Sequence, residues 1–217
     1  MKDYELVIFD CDGVLVDSEV LSCTCLMRVL ARHGLDLDLP AIYETFLGRG
    51  YPCVVDHYQS AMGRPLPDGF AEALRREVSD AFARSLRPIP GIDALLRRID
   101  TPSCVASSSL PERLALSLAL TGLDGHFGDR VFSASMVARG KPAPDLFLHA
   151  AASLGVDPHR ALVIEDSVSG VEAGKAAGMT VWGFTGGSHY AMRDGRHLLT
   201  RAGADRILAS MAEFELM

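Results

Sequence analysis

The chain repeatedly breaks into short, uninterrupted apolar runs separated by longer stretches with helical spacing. Leu6–Phe9, Cys104–Ala106, Ala161–Ile164 and Val181–Phe184 are continuous rather than alternating. A strand with one wet face alternates apolar and polar residues. A continuous run needs cover on both faces, as in a parallel sheet layered between helices. Ile207-Leu208 adds a short edge strand. The helices fall in the gaps: Pro144-Asp145 starts one that Gly155 stops, and Ser167 or Ser169 caps another running to about Ala177. Alternating strands and helices specify an α/β fold with a doubly wound, mainly parallel, Rossmann-like sheet.

One stretch breaks this rhythm. Between about Asp17 and Leu86 there are helical patterns but no buried strand. Ser18 is placed to cap a first helix carrying Leu21, Leu26, Val29 and Leu30. Gly34, Gly48-Arg49-Gly50 and Gly63-Arg64-Pro65 punctuate the rest of the stretch. The reading is a helical insertion after the first strand, with Arg87-Pro88-Ile89-Pro90-Gly91 as the return linker. Residues 1–16 and 87–217 are then the core, and residues 17–86 the insertion. The segment from Gly186 to Arg201 reads as a loop.

Bulk properties remove several function classes. A formal net charge of −7 offers no basic stripe for a nucleic-acid partner. Leu114–Leu123, the longest uncharged apolar stretch, is far short of the roughly 20 residues that span a bilayer. The N-terminal apolar run is too short for a secretion signal, so a cytoplasmic protein with no membrane partner is expected, as a monomer. The five cysteines are scattered without ligand spacing and read as packed thiols. His33, His57, His126, His149 and His159 share no ligand spacing either.

The chemistry gathers at the ends of three of the runs. Leu6–Phe9 leads into Asp10-Cys11-Asp12-Gly13, Cys104–Ala106 into Ser107-Ser108-Ser109, and Ala161–Ile164 into Glu165-Asp166-Ser167. Ligands of open α/β sheets bind outside the carboxyl ends of the strands. Four carboxylates and a serine cluster therefore converge if these strands are neighbours. Polar loops and acidic helix caps would explain one such loop readily, and three less so. Acids gathered this closely repel unless a cation joins them. Their hard oxygens favour magnesium, which usually completes its shell with a substrate phosphate.

Lysine usage adds a separate clue. Of 21 basic residues only Lys2, Lys141 and Lys175 are lysines. Against that background the lysine in Gly140-Lys141-Pro142-Ala143-Pro144-Asp145 is a compact point charge suited to meeting both an acid and a phosphoryl oxygen.

Taken in order, these residues resemble the four motifs of the haloacid dehalogenase superfamily, in its phosphatase branch. Asp10-Cys11-Asp12-Gly13-Val14 resembles the first, Ser107 the second, Lys141 the third and Glu165-Asp166-Ser167 the fourth. The helical insertion is similar to that family's small α-helical cap domain, and the chain looks closest to its β-phosphoglucomutase-like group, which includes sugar-phosphate and phosphogluconate phosphatases. The resemblance implies Asp10 as nucleophile, forming an aspartyl phosphate, and Asp12 as general acid and then base. It implies Mg2+ held by Asp10, Asp166, Glu165 and the main-chain carbonyl of Asp12. Ser107 and the backbone N–H of Ser108 would hold phosphoryl oxygens, and Lys141 would balance charge. In the cap, Glu19, Gly48 and Arg49 are the candidate substrate contacts, with Arg49 reaching an anionic group on a small phosphorylated metabolite.

Three rivals share parts of this pattern. A phosphosugar mutase uses the same core, but Ser22 stands where those enzymes carry a cap histidine, and Gly48-Arg49-Gly50-Tyr51 departs from their Gly-Val-Ser-Arg loop. A haloalkanoic acid dehalogenase needs neither magnesium nor the acids at Asp12 and Asp166. A non-catalytic binding protein on the same fold would not need every motif intact.

Overall fold

The computed structural model describes residues 4–191 and 193–215. The chain divides into two compact units: the residues up to Asp17 together with those from Arg87 onward, and Ser18–Leu86.

The first unit is built on six strands: β1 (Leu6–Phe9), β2 (Ser103–Ser107), β3 (Val131–Ser133), β4 (Ala161–Glu165), β5 (Thr180–Phe184) and β6 (Arg206–Leu208). All pair in parallel, in the order β3-β2-β1-β4-β5-β6. This is the doubly wound order, in which the chain reverses direction across the sheet between β1 and β4. The unit's helices are α5 (Ile92–Arg98), α6 (Pro111–Thr121), α7 (Asp124–Phe127), α8 (Asp145–Ser153), α9 (Val168–Ala176) and α10 (Gly195–Ala202); α1 to α4 lie in the second unit.

The unbroken apolar runs have the cover they require. Leu6 and Ile8 point to one face and join a cluster with Leu146, Phe147 and Ala150 of α8 and Val171 of α9. Phe9, one residue on, points to the other face. There it meets Phe127 and Phe214, with ring centroids 6.5 and 6.3 Å away. All four β1 residues are fully buried. Each such side chain contributes about 1.5–3 kcal/mol, taken against an extended chain and so as an upper figure.

The structure corrects the sequence reading in two places. Val131–Ser133 forms an edge strand, β3, that the sequence does not announce. It is three residues long, and its register comes from pairing with Val105–Ser107 rather than from any periodicity of its own. The segment from Gly186 to Arg201 is not a loop throughout. It contains a short 3-10 turn at Ser188–Tyr190 and most of helix α10, whose N-cap Asp194 accepts a hydrogen bond from the His197 N–H. Leu198, Leu199 and Ala202 share one inward face at helical spacing, with Leu199 fully buried, so the helix carries a short apolar stripe behind the Asp194 cap that the reading as a loop overlooks.

The second unit consists of α1 (Glu19–Arg32), α2 (Leu39–Phe46), α3 (Tyr51–Met62) and α4 (Phe70–Ser85). Its core is Val29, Leu30, Ile42, Phe46, Val54, Tyr58 and Phe70. The buried Tyr58 ring is tied by its hydroxyl, which donates to the His33 carbonyl at 2.9 Å. Ser18 precedes α1 but makes no side-chain cap bond, whereas Asp38 caps α2 by accepting from the Ala41 N–H at 2.9 Å. No helix among the described residues is long and apolar enough to cross a membrane.

Candidate active site

Strand pairing alone brings the acids together. Phe9 is in register with Ile164, and the Asp10 N–H extends the ladder by donating to the Ile164 carbonyl at 3.0 Å. Asp10 therefore leaves β1 beside Glu165 at the end of β4, at the point where the strand order reverses. On the other flank of β1, Phe9 pairs with Val105, which carries β2 to Ala106 and Ser107. After Asp10 the chain turns tightly, with the Leu15 and Val16 N–H groups both donating to the Cys11 carbonyl. Gly13 sits in this turn at φ 79°, a conformation that favours glycine. A Cβ there would also strike the Asp166 carboxylate.

Lys141 closes the arrangement. Its ammonium lies 2.6 Å from Asp10 Oδ1 and 2.7 Å from Glu165 Oε1, and it donates to the Ala106 carbonyl at 2.9 Å. One side chain thus ties the ends of three strands. The side chain is buried, and the Nζ stands 4.8 Å from the Phe147 ring centroid. Glu165 is fully buried and its other oxygen accepts from both the N–H and the hydroxyl of Ser167, at 2.8 and 2.9 Å. The Ser167 hydroxyl oxygen in turn caps α9 by accepting from the Gly170 N–H at 3.0 Å. Gly170 can hold no side chain, since a Cβ would fall on the Glu165 carboxylate.

Asp166 completes the group. Its carboxylate lies 3.1 Å from His189 Nε2, and its backbone carbonyl accepts from the Tyr190 hydroxyl. Carboxylate oxygens of Asp10, Glu165 and Asp166 lie within 4.8 Å of one another, all three residues buried. Burial pushes the Asp10 pKa well above the usual carboxylate range, despite the opposing pull of Lys141. Burial, then the neighbouring Glu165, does the same to Asp166. Burial also works against the Lys141 charge, but Asp10 and Glu165 outweigh it and hold that pKa above its ordinary value. Three acids facing one lysine leave an excess of negative charge, which adds to the effect of burial in raising the Asp10 and Asp166 carboxyls. A cation bound among hard oxygen ligands would relieve it, so the donor set fits a metal ion.

Asp12 stands apart from this cluster. Its two oxygens are held separately, Oδ1 by the Arg113 guanidinium at 2.7 Å and Oδ2 by the Ser109 hydroxyl at 2.6 Å. Ser107 is buried, with its hydroxyl oxygen accepting from the Ser109 N–H at 3.2 Å, while Ser108 is exposed. The remaining sequence candidates belong to the helical unit. Glu19 opens α1, and Gly48 and Arg49 form the exposed turn between α2 and α3, where Arg49 Nη1 approaches Cys53 Sγ at 3.9 Å.

A model of haloacid dehalogenase-like hydrolases matches residues 4–178, which includes every motif described above. The chain belongs to the haloacid dehalogenase-like hydrolases. It is 34% identical to the 6-phosphogluconate phosphatase of Escherichia coli over 190 residues, 87% of this chain and 86% of that one. Its fold is similar to a haloacid dehalogenase-like protein of Agrobacterium tumefaciens, with TM-score 0.85, 37% identity, and 96% and 94% of the two chains covered. It is also similar to a family hydrolase of Deinococcus radiodurans solved with bound phosphate and sodium, with TM-score 0.79, 38% identity, and 98% and 94% covered. Within the haloacid dehalogenase-like hydrolases this chain is a phosphoric monoester hydrolase.

Sequence reasoning misses the residues around the motifs. Arg113, His189 and Tyr190 all touch motif acids, yet none belongs to a motif; Ser109, which also does, stands in the serine cluster the sequence singles out. Arg113 does leave a signal: it stands in the first turn of α6, where a positive charge opposes the helix dipole. His189 leaves none, because its segment carries no apolar period to set it in an element.

Proposed function

We propose that this chain hydrolyses a phosphorylated sugar or sugar acid with Mg2+, through an aspartyl phosphate on Asp10. The observation that carries the reading is the bridge from Lys141 to both Asp10 and Glu165 at the reversal point of the sheet. A buried lysine at that place holds the nucleophile and leaves positive charge beside the incoming phosphoryl group. The oxygen-only ligand set supports magnesium, and the 6-phosphogluconate phosphatase relative supports a sugar-acid phosphate.

In the first step an Asp10 oxygen bonds to phosphorus, the ester P–O bond breaks, and Asp12 gives its proton to the departing alkoxide. In the second, water bonds to phosphorus, its proton passes to Asp12, and the Asp10–phosphorus bond breaks. Asp12 thereby ends in the state from which it began. Ser107 and the Ser108 N–H hydrogen-bond the phosphoryl oxygens, and Lys141 steadies Asp10 as its charge moves onto phosphorus. A divalent ion held by Asp10, Asp166, Glu165 and the Asp12 carbonyl supplies neutralising charge for the transferring group.

Residues 17–86 act as a cap that excludes water and carries specificity, with Arg49, Gly48 and Glu19 as its substrate contacts. Ser22, at the position that counts against a mutase, turns its hydroxyl back to donate to the Ser18 carbonyl at 2.9 Å. The test is phosphate release from a panel of phosphorylated metabolites, with magnesium and with excess chelator. Sugar and sugar-acid phosphates should be preferred and chelator should stop turnover. Full activity in chelator, or a preference for aryl phosphates with no anionic group beyond the phosphate over every sugar phosphate, would overturn the reading.

A further inference from the structure

Asp12 is gripped by two side chains that no motif contains, Ser109 from the turn that leads into α6 and Arg113 from its first turn. Arg113 and Ser109 each take a different oxygen of the carboxylate, at 2.7 and 2.6 Å, so the group is fixed in both position and rotation. The grip is itself braced. Ser133, buried at the end of β3, donates its hydroxyl to the Ser109 carbonyl at 2.7 Å, and the Ser109 N–H donates to Ser107 Oγ. The Asp12 side chain is only 12% exposed and Arg113 31%, so the pair is partly shielded from water.

The placement runs against local preference. Arg113 is the third residue of α6, in the first turn, where the unpaired backbone N–H groups disfavour a cation. A glutamate precedes it, as helix chemistry prefers, yet the arginine turns to the carboxylate of the β1 loop 101 residues away in sequence. Nothing in the packing of α6 asks for this, since its buried positions are Leu114, Ser117 and Leu118.

We infer that Arg113, with Ser109, is the positioning pair for Asp12. They hold its carboxyl at the place from which it meets the leaving-group oxygen and then the attacking water. This rests on the acid–base role proposed for Asp12. A displacement of about 1 Å in such a group costs on the order of 10²-fold in rate. The loss should appear only where a proton must be delivered. Phenyl phosphate has a poor leaving group and needs that proton, whereas p-nitrophenyl phosphate releases a stable anion without it.

The experiment is single-turnover release of the phenol from both esters, with enzyme in excess, for the wild type, Arg113→Met, Arg113→Lys, Ser109→Ala and Asp12→Asn. Arg113→Met should lose about 10²-fold with phenyl phosphate and less than about tenfold with p-nitrophenyl phosphate. Arg113→Lys should recover part of the difference, and Ser109→Ala should lose in the same sense but less. Ser109→Ala removes a single hydroxyl and carries the test if Arg113→Met does not fold. Equal losses on both esters, or none, overturn the positioning role while Asp12→Asn still discriminates between the esters. If Asp12→Asn itself fails to discriminate, the acid–base reading of Asp12 falls instead.

Discussion

The α/β unit and the helical unit solve the same burial problem with different consequences for function. In the first, the strands β1, β2 and β4 end abruptly, and each end delivers a polar side chain at a place set by backbone pairing. Asp10, Ser107 and Glu165 are placed by ladder register before any side chain chooses a rotamer. In the second, four helices enclose Leu30, Ile42, Tyr58 and Phe70, and the chain between α2 and α3 is an exposed turn carrying Arg49. No ladder fixes that turn. The proposed chemistry therefore lies where the backbone is most constrained, and the proposed selectivity where it is least constrained.

The sharpest way to break this contrast is at the proposed nucleophile. Asp10→Asn nearly preserves shape and should lower turnover by at least about 10⁴-fold on every ester tested, a loss typical of removing a covalent nucleophile. Its melting temperature without metal should equal or exceed the wild type's. The reason is the sign of the Asp10 shift: its pKa is raised on folding, so ionising it costs stability as pH climbs through the raised value. A marked fall in melting temperature would show that Asp10 stabilises the fold.

Removing metal should be nearly as severe, since excess chelator should bring turnover to background and magnesium should restore it. Asp166→Asn gives the same question a thermodynamic form. Its wild-type carboxyl is also raised, so metal-free protein should lose stability as pH climbs from about 4, the unfolded value, through the raised one, and the variant should lose less. Magnesium at a hundredfold excess over its Kd should stabilise the wild type by about 2.7 kcal/mol and the variant by clearly less. Thermal melts across pH, with and without magnesium, read both effects.

A smaller change probes how tightly the acids are held. Gly170→Ala forces a methyl group onto the Glu165 carboxylate, which cannot retreat because Lys141 and Ser167 hold it. The expected cost is about 1–3 kcal/mol of stability, with a turnover loss larger than that destabilisation explains. Wild-type turnover in this variant would mean that Glu165 has room to move.

The smallest expected effect lies in the helical unit. Arg49→Ala should raise KM about tenfold or more for an anionic sugar substrate and leave p-nitrophenyl phosphate nearly unchanged. Equal effects on both, or none, would remove Arg49 from specificity.

The same contrast explains what the sequence discloses. The parallel sheet and its catalytic end are legible because continuous apolar runs can be satisfied in few ways, and because Asp10 and Glu165-Asp166 each follow such a run directly. β3 is hidden because three residues carry no period. α10 is easily passed over because its apolar face of Leu198, Leu199 and Ala202 is short and set among charged and polar residues. His189 is hidden, and Arg113 shows only as a cation in a helix's first turn, because their partners are fixed by tertiary placement, across 23 and 101 residues of chain respectively.

The mechanism stands on a covalent bond between Asp10 and phosphorus, and one measurement addresses it directly. Enzyme mixed with a turned-over phosphate ester is acid-quenched within the first turnover, reduced with borohydride and digested for mass spectrometry. An aspartyl phosphate is reduced to homoserine, so residue 10 should appear as homoserine, only in samples that received substrate and metal. Aspartate unchanged at position 10 during active turnover, or homoserine at another acid, would contradict the mechanism.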